Sequence, residues 1–128
     1  MKFINQTKLH DPDNYIHGNC MRACFASFFE IDIDSIPYFE DMKKGDWIHE
    51  VISWLSKKGF ELDTYSQDPF KQDRIIDYYF VSGDSPRGDY GHLVIYRQGV
   101  LVHDPHPDKK GIVGEPKAYW VLNKIWQS

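Results

Sequence analysis

The chain has 128 residues, enough for one hydrophobic core and too few for two, so a single domain over 1–128 is expected. Hydrophobic residues make up 41% and aromatic residues 16%, which excludes a disordered chain. A net charge of −4, with only the scattered basic pairs Lys43-Lys44, Lys57-Lys58 and Lys109-Lys110, argues against nucleic acid as a partner. No apolar run approaches the ~20 residues that span a bilayer, and the first residues lack the apolar stretch of a secretion signal. A cytoplasmic, reducing location is therefore expected, with no membrane partner. Cys20 and Cys24 stand one helical turn apart, where a disulfide would distort the helix, and both are read as free thiols.

In chain order, Met1 to Ile16 reads as an irregular segment with turn chemistry at Asp11-Pro12-Asp13-Asn14. Gly18 breaks what precedes it, and Asn19 is a favoured N-cap for a helix from Cys20 to Phe29 or Glu30. Asp32 to Pro37 gives a turn and a short helical start, followed by a loop carrying Glu40, Asp41, Lys43 and Lys44. Asp46 is the expected N-cap of a second helix, Trp47 to Lys58, with Ile48, Val51, Ile52 and Leu55 on one face and Gly59 as its stop. The period then shifts towards two. Strands are expected at Phe60–Tyr65, Tyr78–Val81, His92–Tyr96, Val100–His103 and Ala118–Leu122, with Arg97-Gln98-Gly99 as a tight hairpin. Loops are expected at Gly83–Asp89 and Pro105–Pro116. Two helices followed by a run of strands predict an α+β fold with an antiparallel sheet.

Cys20 falls in the first turn of its helix. There, free backbone N–H groups and the helix dipole favour a thiolate over a thiol. His92 opens an apolar strand where Val or Ile would be ordinary, and Asp104 ends the next strand. The short hairpin brings both to the same end of the sheet. The order Cys, His, Asp matches nucleophile, general base and orienting carboxylate. Taken singly, each has a plainer reading: a buried small thiol, a satisfied strand histidine and an Asp-Pro turn. The four tryptophans Trp47, Trp54, Trp120 and Trp126 read as core and edge aromatics, since no basic residues interleave with them.

These segments resemble the papain-like cysteine peptidases, and within them the bacteriocin-processing (double-glycine) group. Gly18-Asn19-Cys20 is similar to the nucleophile segment, Gly91-His92-Leu93-Val94-Ile95 to the histidine strand, and Val102-His103-Asp104-Pro105 to the aspartate strand. The Asn-Cys helix and the stretch His103-Asp104-Pro105-His106-Pro107 also resemble small proteins of phage and bacterial genomes. The resemblance implies a minimal papain-like domain and a cysteine hydrolase, peptidase or amidase, acting on a peptide or small amide or acyl substrate without metal or organic cofactor. Cys20 would attack, His92 would take and return the proton, and Asp104 would orient the imidazole.

The peptidases carry a Gln six residues ahead of the cysteine whose amide helps form the oxyanion hole. That position here is Asn14, which the resemblance makes the oxyanion donor together with the Cys20 N–H. Gln6 is the other candidate amide, at a different offset. Met21 stands where the peptidases have a small residue. Arg87, in the loop leading to His92, is read as a contact for a substrate carboxylate or phosphate, and His103 and His106 as residues of the cleft rim. Three alternatives stand beside the hydrolase: an acyltransferase on the same residues, a scaffold that binds a small molecule or protein without turnover, and a zinc site on Cys20, Cys24 and nearby histidines. The zinc site lacks the usual ligand spacing.

Overall fold

Gly18 and Asn19 interrupt the chain ahead of α1 (Cys20–Phe29), whose buried face is Ala23, Cys24, Phe25, Ala26 and Ser27. The computed structural model describes residues 1–43, 45–72, 74 and 76–125; Lys44 and Trp126 lie outside them. Helix α2 (Trp47–Lys57) buries Val51 and Leu55, and Lys58 and Gly59 follow its last turn. The strands are β1 (Phe60–Tyr65), β2 (Tyr78–Asp84), β3 (Gly91–Arg97), β4 (Val100–His103) and β5 (Val113–Lys124). All pair antiparallel, in the order β1-β5-β2-β3-β4. The fold is α+β, and α1 packs against the sheet.

Period-two alternation divides the strand residues between two apolar clusters. Phe80, Leu93, Ile95, Trp120 and Leu122 pack with the helices, whereas Tyr79, Val81, Val94 and Val121 form a second cluster. Phe25 is the hinge of the larger one: its ring meets Phe39, Trp54 and Phe80 at centroid distances of 6.0, 5.7 and 5.6 Å. The contacts with Phe39 and Phe80 are edge-on, and pairs of that kind add about 0.5–1.5 kcal/mol each beyond area burial. The β3–β4 hairpin closes as expected. Gln98 and Gly99 both have positive φ, 54° and 78°, as the favoured two-residue hairpin turn requires, and Arg97 pairs with Val100.

Several local expectations are corrected. Neither Asn19 nor Asp46 caps its helix through its side chain. Asn19 is instead wholly buried: its carbonyl oxygen accepts from the N–H groups of Thr7 and Lys8 at 3.0 and 2.9 Å, and its amide donates to Thr7 Oγ1. The segment before α1 is thus fastened to the body rather than loose. Ile4 N–H donates to Ser27 Oγ and Gln6 N–H to the Pro105 carbonyl. Strand β2 runs on through Gly83, and β5 takes up the end of the expected Pro105–Pro116 loop. The β2–β5 register shifts between Ser82 and Asp84. No helix among the described residues is long and apolar enough to cross a membrane.

Removing the Asn19 side chain leaves the Thr7 and Lys8 N–H groups without their acceptor in a part-buried setting. Asn19→Ala should destabilise the fold by about 2–3 kcal/mol. Urea denaturation read by tryptophan fluorescence checks this; an unchanged midpoint would show that the N-terminal segment is not fastened there.

Candidate active site

Three elements converge on one cleft. Cys20 opens α1, His92 is the second residue of β3, and Asp104 directly follows β4. The hairpin register, with Ile95 opposite His103, sets His92 and Asp104 at the same end of the sheet. His92 Nε2 lies 2.6 Å from Asp104 Oδ1, and both side chains are buried. Asp104 Oδ1 also accepts from the His106 N–H at 2.9 Å and Oδ2 from the Gly111 N–H at 2.7 Å. Burial pushes the Asp104 carboxyl up, but the His92 bond and the two backbone donors outweigh it and hold it below the usual carboxylate range. An ionised carboxylate can only accept, so neutral His92 carries its proton on Nε2 and keeps the Nδ1 lone pair free.

Cys20 and His92 share the walls of two cavities. One, of about 170 Å³, is polar, with Gln6, His10, His17, Arg87 and His106 around it. The other, of about 190 Å³, is bounded by Met21, Trp47, Leu93 and Trp120. Glu40 lines both. It comes from the single 3-10 turn Phe39–Asp41, and its Oε2 accepts from the N–H groups of Met21 and Arg22 at 2.9 and 3.4 Å. The cap of α1 is therefore Glu40, a residue of the loop that precedes α2. A cap supplied from a distant segment has no local signature.

Burial, with this cap beside it, reverses the expected state of Cys20. The first-turn N–H groups of Met21 and Arg22 donate to a carboxylate. Burial, and then the Glu40 charge, push the Cys20 thiol up to about 12; the Leu93 and Met21 N–H groups pull it back only in part. Glu40 itself is lifted to about 7 by burial, which outweighs its backbone hydrogen bonds and the pull of Arg22. Cys24 is fully buried one turn deeper, its thiol raised well above normal first by burial.

The other predicted residues divide. Arg87 and His106 stand on the polar cavity, where Arg87 donates through one Nη to both oxygens of Asp108 at 2.9 and 3.2 Å. Burial first, then the Arg87 charge, lower the His106 imidazole. His103 is elsewhere: it is buried, its Nε2 meets the Ile4 carbonyl at 2.8 Å, and its ring stacks on Phe3 at 5.0 Å. The N-terminal segment covers the face on which the cleft rim was expected.

Asn14 is not at the cleft either. It is exposed on the turn Pro12–Asn14, its amide bonded to Asp11 Oδ2. Gln6 occupies the cavity wall, although it is fourteen positions ahead of Cys20. The structure explains the offset. Lys8 carbonyl accepts from both the Asn19 N–H at 3.1 Å and Gln6 Nε2 at 2.8 Å, so residues 9–18 form an excursion closed at its neck. Gly18 makes the closure possible. A Cβ there would stand 3.1 Å from His10 N and 3.2 Å from Gln6 Nε2. Among the described residues, no group of three or more His, Cys, Asp and Glu side chains is arranged to hold a metal ion.

Brief iodoacetamide treatment of native protein should label half-buried Cys20 well ahead of Cys24, with labelling slow at pH 7 and rising steeply with pH; peptide mapping by mass spectrometry reads both. Glu40 gives a second expectation. A carboxyl raised in the folded state binds its proton there while the unfolded chain has lost it. Between about pH 4.5 and 7, its contribution therefore lowers stability as pH rises. Glu40→Gln should remove that slope from a series of thermal melts.

No family model matches the chain, and neither a curated protein nor a solved structure was found to match it.

Proposed function

We propose that the chain is a papain-like cysteine hydrolase acting on a peptide or small amide or acyl substrate, with acyl transfer to another acceptor open to the same machinery. The observation that carries this reading is His92 on the wall of a cleft that Cys20 also lines, its ring bonded behind the wall to buried Asp104. Nε2 is held by Asp104, which leaves Nδ1 as the basic nitrogen. Because the resting thiol is protonated, His92 would take the Cys20 proton as the sulfur attacks the carbonyl carbon, rather than hold a preformed ion pair. The imidazolium then protonates the leaving group, and water, deprotonated by His92, cleaves the thioester. Gln6, which lines the cavity with Cys20 where Asn14 does not, would donate the amide N–H not taken by the Lys8 carbonyl to the oxyanion, beside the Cys20 N–H. Free Cys20 and Cys24 support a reducing, cytoplasmic setting. The high resting position of the Cys20 thiol favours, as a second reading, a binding scaffold without turnover.

A generic acyl donor such as p-nitrophenyl acetate separates the two. The hydrolase reading expects a thioester on Cys20, mapped by mass spectrometry and absent in Cys20→Ser. His92→Ala should slow its formation by about 10²–10⁴-fold. No acyl-Cys20, or an equal rate in His92→Ala, would favour the scaffold. With any substrate that turns over, Gln6→Ala should lower kcat by about 10²–10³-fold and Asn14→Ala should leave it unchanged. The opposite ranking would return the oxyanion role to Asn14.

A further inference from the structure

Thiol and carboxylate compete for one source of stabilisation at the start of α1. A helix N-terminus offers unpaired N–H groups to an anion, and Glu40 Oε2 has taken those of Met21 and Arg22. The other oxygen, Oε1, is buried and has no hydrogen-bond partner among the described residues. Arg22 does not meet it: Nε donates to the Ile36 carbonyl at 2.6 Å and an Nη to the Asp34 carbonyl at 3.4 Å. Arg87 is engaged by Asp108. A buried carboxylate with no bonded cation is costly, and such an unmet group calls for a functional account.

The surroundings supply one. On the 190 Å³ recess, Glu40 is the only carboxylate among the described lining residues, and the remaining wall is largely apolar. The Trp47 and Trp120 rings lie nearly parallel, at 14° and 6.3 Å between centroids, and present aromatic surface of the kind that attracts cations. The polar cavity across Cys20 differs: beside Glu40 it carries Arg87 and four histidines, His10, His17, His92 and His106. We propose that Glu40 gates Cys20 and selects the substrate: the recess takes a group with an apolar stem and a cationic tip, of the lysine, arginine or alkylamine class, and its pairing with Glu40 releases Cys20 for attack. This rests on the hydrolase reading and adds to it the charge of the substrate. A neutral or anionic group in the same place would leave the carboxylate's field on the thiol intact.

Other charges face the pair and must be separated from Glu40. His92 and Asp104 stand on the sheet side, Arg22 on α1, and Tyr38 and Asp41 on the segment of Glu40 itself. His10, His17 and His106, with Arg87, face Cys20 across the polar cavity. All of these groups are unchanged in a Glu40 variant, so only a Glu40 substitution isolates the carboxylate. Glu40→Gln keeps an oxygen that can accept from Met21 and Arg22 and removes the charge.

The test uses thiol reagents and needs no substrate, so its failure is distinct from absence of turnover. Cys20 labelling is timed in native protein with the cationic trimethylammonioethyl and the anionic sulfonatoethyl methanethiosulfonates. In each case the Cys20 sulfur attacks the sulfenyl sulfur, forms a disulfide and expels methanesulfinate. Neutral iodoacetamide is run alongside from pH 6 to 10. In Glu40→Gln, the iodoacetamide profile should move to lower pH. Its rate at pH 7 should rise about threefold or more, since each unit of thiol pKa gives tenfold more thiolate of lower nucleophilicity. The cationic-over-anionic rate ratio should fall at least about threefold. An unmoved profile overturns the gating, and an unmoved ratio overturns the selection. Should Glu40→Gln fail to fold, Glu40→Ser, which removes the same charge and keeps a hydroxyl oxygen able to accept, supplies the same decision on the same two readouts: an unmoved profile overturns the gating and an unmoved ratio the selection.

Discussion

A carboxylate with 2% of its surface exposed costs several kcal/mol unless its lone pairs are met, and Asp104 meets them from three directions. The His92 ring comes from β3, the His106 N–H from the turn that follows β4, and the Gly111 N–H from the chain on its way to β5. Lys109 Nζ donates to the Asp104 backbone carbonyl at 2.7 Å. One side chain thus fixes the imidazole and also folds the 104–111 loop around itself. The Pro105 carbonyl in that loop receives the Gln6 N–H, which carries the constraint on to the N-terminal segment and hence to the other wall of the cleft.

The two carboxylates of the cleft have opposite fates for one physical reason. Asp104 gains a ring N–H and two backbone donors, so its ionised form is favoured despite burial. Glu40 is favoured as an anion by its own backbone N–H and those of Arg22 and Met21, yet Oε1 has no hydrogen-bond partner among the described residues and no ring N–H joins them, and desolvation prevails. Groups driven apart in this way can hold different protonation states at one pH, which acid–base chemistry in a small cleft requires.

Much of this was legible where the determinants are local. Gln98 and Gly99 dictate the hairpin turn and the pairing of Arg97 with Val100, which brings His92 and Asp104 to the same end of the sheet; the one-residue shift of register between Ile95 and Tyr96 has no such local signal. The start of α1, too, was legible from adjacent residues. Its cap was not. Asn19 has the right chemistry and position for an N-cap, yet tertiary bonds to Thr7 and Lys8 claim its side chain and leave the role to Glu40. Gln6 was obscured by linear counting, because the closed excursion separates sequence offset from distance. His103 was misplaced because nothing local announces that Phe3 and Ile4 cover it. The central place of β5, between β1 and β2, depends on long-range pairing that strand propensity alone does not encode.

The neck formed by Lys8, Gly18 and Asn19 bears on how such a chain can diverge. Once its ends are pinned, a loop grows at little cost, about 0.6 kcal/mol for each doubling of length. Residues 9–18 can therefore lengthen, shorten or exchange side chains while Gln6 and Cys20 keep their places. His10 and His17 on that loop line the polar cavity. Its ring contact between His10 and Tyr90, at 4.0 Å, ties the same loop to the approach to β3. The excursion is in effect an interchangeable roof: mutation can reshape what the cleft admits without disturbing the groups beneath it.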